Sequence, residues 1–190
     1  MNLKNIDQKQ LITILLCAVG TFILSLIRVQ ADATTSALGD VNAYASLQDV
    51  GIFVSIMALG SPWGIVAPVF GIVIGDIVMG SKNFIIGNIL IRSIMALFLL
   101  AFAAKVDDWK KSFVIAGITE AMMLVLFIVY DFVIIREFAV VGITLLMQLL
   151  QGVVCAVLGA VLLRYMPVMQ PDKMLEDRKS TRLNSSHVSE

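Results

Sequence analysis

The chain has 190 residues, 59% of them hydrophobic and only 15% charged, with 14 basic and 14 acidic side chains and a mean hydropathy of +0.93. Those proportions lie outside the range of soluble globular domains and point to an integral membrane protein. The balanced charge and the lack of any Lys/Arg block exclude nucleic acid as an expected partner.

Residues Met1 to Gln10 are polar, with Lys4 and Lys9, and Leu11 to Ile27 form an apolar helix just long enough to span, closed by Arg28. Ala31-Asp32-Ala33 offers a small-x-small site of the kind that ends a signal peptide. The apolar run is longer than a usual signal segment, however, and Arg28 lies between it and that site, so an uncleaved helix is expected. Cys17, Thr21 and Ser25 recur every four residues and give this helix a small-residue face that another helix can approach closely. Cys17 and Cys155 both fall in apolar segments and read as packing residues, not as a disulfide. Val29 to about Ala43 is polar, with Asp32 and Asp40 but no Lys or Arg. Thr34, Thr35, Ser36, Gly39 and Asn42 give it turn chemistry, and it reads as a loop long enough to fold over a site.

Asp49 to Gly80 is an almost uninterrupted apolar run of 32 residues. As one helix it would be about 48 Å long, against a hydrocarbon core of about 30 Å. Gly60-Ser61-Pro62 breaks it, because Pro62 cannot donate to a helix ladder, disfavours helical backbone at Ser61, and follows a glycine free to take positive φ. Two helices joined by a tight turn are therefore expected. The first should start near Tyr44, since a start at Val50 leaves too few residues to span. That places Gln48 and Asp49 in its first turns, where an acid is favoured by the helix dipole whether or not it meets a ligand. The second carries Ala67, Gly71 and Gly75 at intervals of four, a contact face, followed by Asp76, a carboxylate that must face protein or water.

A fourth span, from about Phe84 to Ala104, holds Asn88 and Arg92 on one face; Arg92 reads either as the buried partner of Asp76 or as a ligand contact. After the charged turn Lys105 to Lys111, the fifth span, Ser112 to Tyr130, aligns Glu120, Leu124, Phe127 and Asp131 on one face. Glu120 has no cation near it in sequence, and a carboxylate at that depth needs a hydrogen-bonding partner, which a ligand N–H can supply. The sixth span, about Phe138 to Leu163, carries a polar stripe of Thr144, Gln148, Gln151 and Cys155 suited to interhelical hydrogen bonds or to ligand contact. With six spans, Lys4, Lys9, Lys105, Lys110, Lys111, Arg164 and Lys173 collect on the side of both termini, against Arg28, Lys82 and Arg136 opposite, which favours cytoplasmic termini.

No P-loop, zinc-protease helix motif, nucleophile elbow or Cys/His cluster occurs, so neither an enzyme nor a cofactor or metal is expected. Asp177 to His187, DRKSTRLNSSH, matches the translation of a common sequencing-adapter oligonucleotide. Residues 177–190 are read as an artefact outside a membrane domain of residues 1–176, and the only histidine, His187, goes with them.

The succession of Gln48-Asp49-Val50-Gly51-Ile52-Phe53, then LGSPWGIVAPVFGIVIGDIVMG, then NILIRSIMAL resembles the substrate-binding S components of energy-coupling factor vitamin transporters, of the riboflavin or pyrimidine/thiamine type. The likeness covers most of Met1 to Met169. It departs from the family pattern where Ser61 separates Gly60 from Pro62, where Arg92-Ser93 replaces a usual Lys-Gly, and where Cys17, Thr21 and Ser25 stand for alanines four apart. It implies an all-α bundle of six membrane helices in a bacterial plasma membrane. It also implies a vitamin-like ligand bound near the outer face under the Val29 to Ala43 loop, a transmembrane coupling subunit and two ATPases. Candidate ligand contacts are Asn42, Tyr44, Gln48, Asn88, Arg92, Glu120, Phe127, Gln148 and Gln151, with Asp76 and Arg92 as a structural pair and Cys17, Thr21 and Ser25 as the partner interface. A self-sufficient secondary transporter or channel, and a ligand-free membrane scaffold, are the other classes the sequence allows.

Overall fold

The computed structural model describes residues 7–35, 39–134, 136, 138–166 and 168, so the segment 177–190 lies outside the described residues. Six α-helices and one β-hairpin follow in the order α1 (Gln8–Leu26), β1 (Arg28–Thr35), β2 (Gly39–Ser46), α2 (Gln48–Leu59), α3 (Trp63–Val78), α4 (Ile85–Phe102), α5 (Trp109–Ile134) and α6 (Phe138–Tyr165). By length and composition four helical stretches can cross a membrane: α1, the Lys82–Lys105 stretch built on α4, α5, and Val141–Tyr165 within α6. The other two are shorter. At about 1.5 Å per residue, α2 is about 18 Å long and α3 about 24 Å, both less than a hydrocarbon core.

Two expectations need correction. The polar stretch after α1 is not a loop but an antiparallel strand pair in continuous register, from Arg28 opposite Ser46 to Thr35 opposite Gly39. In consequence α2 starts at Gln48 rather than near Tyr44, because residues up to Ser46 are committed to the ladder. The base of the hairpin is enclosed by the helices: Ala43, Tyr44, Ala45 and Ser46 are all buried. Buried backbone needs partners for its polar groups, and a ladder satisfies its N–H and C=O groups internally.

The short α2 is the hub. It touches α1, α3, α4 and α6, and nine of its residues, including Gln48, Asp49, Phe53 and Ser55, are buried. A helix apolar all round belongs in a core, and shortness costs it nothing there. Phe53 fills the place opened by Gly159, where a Cβ would come within 2.6 Å of the ring. Gly60 ends α2 in the left-handed region at φ 51°, and Pro62 sits at the N-cap of α3, which is the turn that Gly60-Ser61-Pro62 predicts.

The small-residue face of α1 is filled from within the chain. Cys17, Thr21 and Ser25 are the buried residues of α1 and pack on α2 and α3. A Cβ at Gly51 would strike the Thr21 side chain, one at Gly71 the Ala18 carbonyl oxygen, and one at Gly75 the Ser25 hydroxyl. The assignment of Cys17, Thr21 and Ser25 to a partner interface is therefore corrected: glycines of α2 and α3 and small residues of α1 let these three helices approach one another.

At the far end from the hairpin, Asp108 caps α5 by accepting from the Lys111 backbone N–H at 2.7 Å, and Trp109 meets the Tyr165 ring edge-on at 5.5 Å. That contact brings the start of α5 and the end of α6 together among Lys105, Lys110, Lys111 and Arg164. Because Gly71 faces backbone atoms that cannot rotate aside, Gly71→Ala is expected to cost about 1–3 kcal/mol. Gly117→Ala, inside α5 with nothing within 4 Å, should be neutral to stabilising. Thermal melts of both variants in detergent check this, and equal melting temperatures would contradict the α1–α3 packing.

Candidate functional site

At the hairpin end of the bundle the polar residues of five helices and two strands meet. Their sequence positions explain the meeting: Gln48 and Asp49 open α2, Asp76 closes α3, Asn88 and Arg92 lie one turn apart on α4, and Gln151 projects from α6. None of these side chains is more than 2% exposed.

One half of the cluster centres on Asp76. It accepts from the Tyr44 hydroxyl at 2.7 Å and from Asn88 Nδ2 at 2.5 Å, and Arg28 Nη2 lies 3.6 Å from Oδ1. Arg28 is anchored by donating to the Ser25 carbonyl at 2.7 Å and the Ser81 hydroxyl at 3.1 Å, and its guanidinium stacks 4.1 Å from the centre of the Tyr44 ring. The Tyr44 hydroxyl donates to Asp76 and accepts from Asn88 Nδ2 at 2.8 Å.

The other half centres on Arg92. Its Nη1 forms an ion pair with Asp49, its Nε donates to Asn88 Oδ1 at 3.1 Å, and its Nη2 lies 2.6 Å from Gln48 Oε1 with that amide turned to accept. The Phe127 ring covers the guanidinium at 5.3 Å. Asp49 uses its second oxygen to accept from Gln151 Nε2, and Gln151 Oε1 accepts from the Ser46 backbone N–H at 2.8 Å. Cys155 Sγ lies 3.7 Å from the Ser46 carbonyl. Asn88 joins the halves, donating to Asp76 and accepting from Arg92.

The proposed Asp76–Arg92 pair is thus corrected. Arg92 pairs with Asp49, and Asp76 is held by Tyr44, Asn88 and Arg28. The rest of the candidate contacts fall as follows. Tyr44, Gln48, Asn88, Arg92 and Gln151 are in the network, and Phe127 lines it. Glu120 is 4% exposed and within electrostatic range of Asp49 and Arg92, but neither of its oxygens accepts a hydrogen bond. Gln148, also 4% exposed, has an unpartnered Oε1. Asn42 lies in β2 opposite Asp32, and its side chain is outside the described residues. Arg28, Ser46 and Ser81 are members that sequence reasoning did not place; the signal for Arg28 was a guanidinium ending the first apolar run at the level where Asp76 ends the third.

Beside the network a cleft of about 330 Å³ opens between the end of α1, the hairpin base and α6. Its walls are mostly apolar, with Leu47, Leu150 and Val154, but Arg28, Ser46 and Gln151 belong to both cleft and network. Among the described residues no group of three or more His, Cys, Asp or Glu side chains is placed to hold a metal ion. No protein-family model, curated protein or solved structure matches the chain.

Breaking a buried ion pair from one side leaves an uncompensated charge, at about 3–5 kcal/mol. Asp49→Ala and Arg92→Met should each destabilise on that scale, and the double variant should lose less than the sum. Thermal melts of the two singles and the double supply the measurement, and additive losses would contradict the pairing.

Proposed function

We propose that this chain is the substrate-binding membrane subunit of an energy-coupling-factor-type importer, taking a vitamin-like, water-soluble micronutrient from outside a bacterial cell. In this reading six helices lie in the plasma membrane with both termini cytoplasmic, and a transmembrane coupling subunit and two ATPases complete the transporter. The observation that carries it is the hydrogen-bonded cluster that ties the hairpin, through Tyr44 and Ser46, to Asp76, Asn88 and Gln151 in the bundle.

Buried polar groups at membrane depth are costly and mark functional sites. Here they gather at one end, under a cover of two strands that replaces the loop expected to fold over the ligand. The donors and acceptors suit recognition of a small polar molecule. The Lys- and Trp-bearing turn at the opposite end fits a cytoplasmic face. The coupling subunit meets an outer surface of the bundle, since Cys17, Thr21 and Ser25 are occupied internally.

The test is reconstitution. Mass spectrometry of small molecules retained on the purified full chain should reveal a bound micronutrient. Uptake of that compound into proteoliposomes should require the coupling subunit, the ATPases and ATP. Uptake by the chain alone, driven by an ion gradient, would instead make it a secondary transporter, and absence of both retained ligand and copurifying coupling subunit would leave a scaffold.

A further inference from the structure

The hydrogen bonds at the centre do not balance. Arg92 is committed to Asp49, and Arg28 lies against Asp76. Glu120 is left over: a carboxylate 4% exposed, in the electrostatic range of this network, with no hydrogen bond to either oxygen. Among the described residues no donor from α6 reaches either Glu120 oxygen. A Cβ at Gly152 would lie 3.7 Å from the Glu120 Cβ, and Gln148, one turn before Gly152 on the same face, presents an Oε1 that also accepts nothing.

Of the network's donors, Arg28 Nη2 has no hydrogen-bond partner but lies against Asp76 at 3.6 Å, and the others are spent. Arg92 serves Asp49, Asn88 and Gln48, Gln151 Nε2 serves Asp49, Asn88 Nδ2 serves Asp76, and the Tyr44 hydroxyl serves Asp76. An acceptor left unpaired in a buried site carries its full desolvation cost, more so when charged. A group that relieves Glu120 must therefore bring donors of its own, and a positive charge relieves it most, because charge-assisted bonds to a carboxylate are about twice as strong as neutral ones. An anionic head would add repulsion beside Glu120 and Asp49.

We propose that Glu120 and Gln148 form the recognition point for a planar cationic group bearing several N–H donors, such as an amidinium, a guanidinium or a protonated amino-heterocycle, carried by the solute. This rests on the reading of the polar centre as a ligand site.

Guanidinium and urea are near-isosteric planar donors that differ in charge, and both are small enough to report on the subsite without the rest of a solute. Melting temperatures of the full chain in detergent are measured with millimolar guanidinium chloride, urea or sodium chloride. Guanidinium should raise the wild-type melting temperature saturably, whereas urea and sodium chloride should not. E120Q, which keeps the shape and loses the charge, should weaken the apparent guanidinium affinity about tenfold or more. Q148A keeps the charge and removes one acceptor, so it should weaken binding without abolishing it, and it serves if E120Q fails to fold. No guanidinium response in the wild type, an equal response to urea or sodium, or in the folded variants an unchanged affinity would overturn the inference. ATP-driven uptake with the coupling module but without guanidinium preference would overturn this inference alone. Guanidinium selectivity in a chain that never engages a coupling subunit would overturn the transporter reading alone.

Discussion

A guanidinium with no exposure, inside a bundle of apolar helices, sets the terms for this structure. Removing such a charge from water costs several kcal/mol even after relaxation, and only good geometry with further hydrogen bonds offsets it. Arg92 meets that requirement with Asp49, Gln48 and Asn88 and with the face of Phe127. The partners on α2 fix where that helix can begin. Gln48 and Asp49 are its first two residues, so Arg92 holds the N-terminus of the central helix, and an acid at that position also complements the helix dipole.

From that anchor the hairpin follows. Asp49 fixes Gln151, and Gln151 takes the Ser46 backbone N–H; Asn88 fixes Asp76, and Asp76 takes the Tyr44 hydroxyl. Tyr44 and Ser46 are two apart in one strand, so their side chains point to the same face. Through the Tyr44 hydroxyl and the Ser46 backbone, β2 is thereby tied into the bundle at two points by groups that themselves depend on Arg92. A hairpin alone is marginally stable in water, and this one gains its order from the polar centre beneath it.

Much of this was legible in the sequence, and the failures have identifiable causes. Gly60-Ser61-Pro62 punctuated the apolar run correctly because left-handed glycine and an N-terminal proline are local properties. The hairpin was missed because Val29, Ala31 and Ala33 alternate with Gln30, Asp32 and Thr34 only weakly, and Thr, Ser, Gly and Asn nearby read equally as turn residues. The start of α2 was then misplaced by requiring every apolar helix to span, a rule that does not bind a helix enclosed by four others. Asp76 was paired with Arg92 because consecutive antiparallel helices are neighbours. That rule ignores the angular position of α2, which brings Asp49 to the same guanidinium. For the small face of α1, the spacing showed that something packs closely there, but spacing carries no information on whether the occupant belongs to the same chain.

The two ends of the bundle differ in how their charges are handled. At the α5 start, Lys111 and Asp107 pair at 2.6 Å with side chains 52% and 68% exposed, a contact in water that contributes little. At the hairpin end, Arg28, Arg92, Asp49 and Asp76 are all enclosed, and each depends on the others for compensation. Only in the second setting does a change in one polar group have to be answered by its neighbours, since low dielectric magnifies every unpaired charge. A small molecule that exchanged hydrogen bonds with that cluster would act directly on the bonds that seat β2, so occupancy of the centre and the position of its cover are physically coupled there.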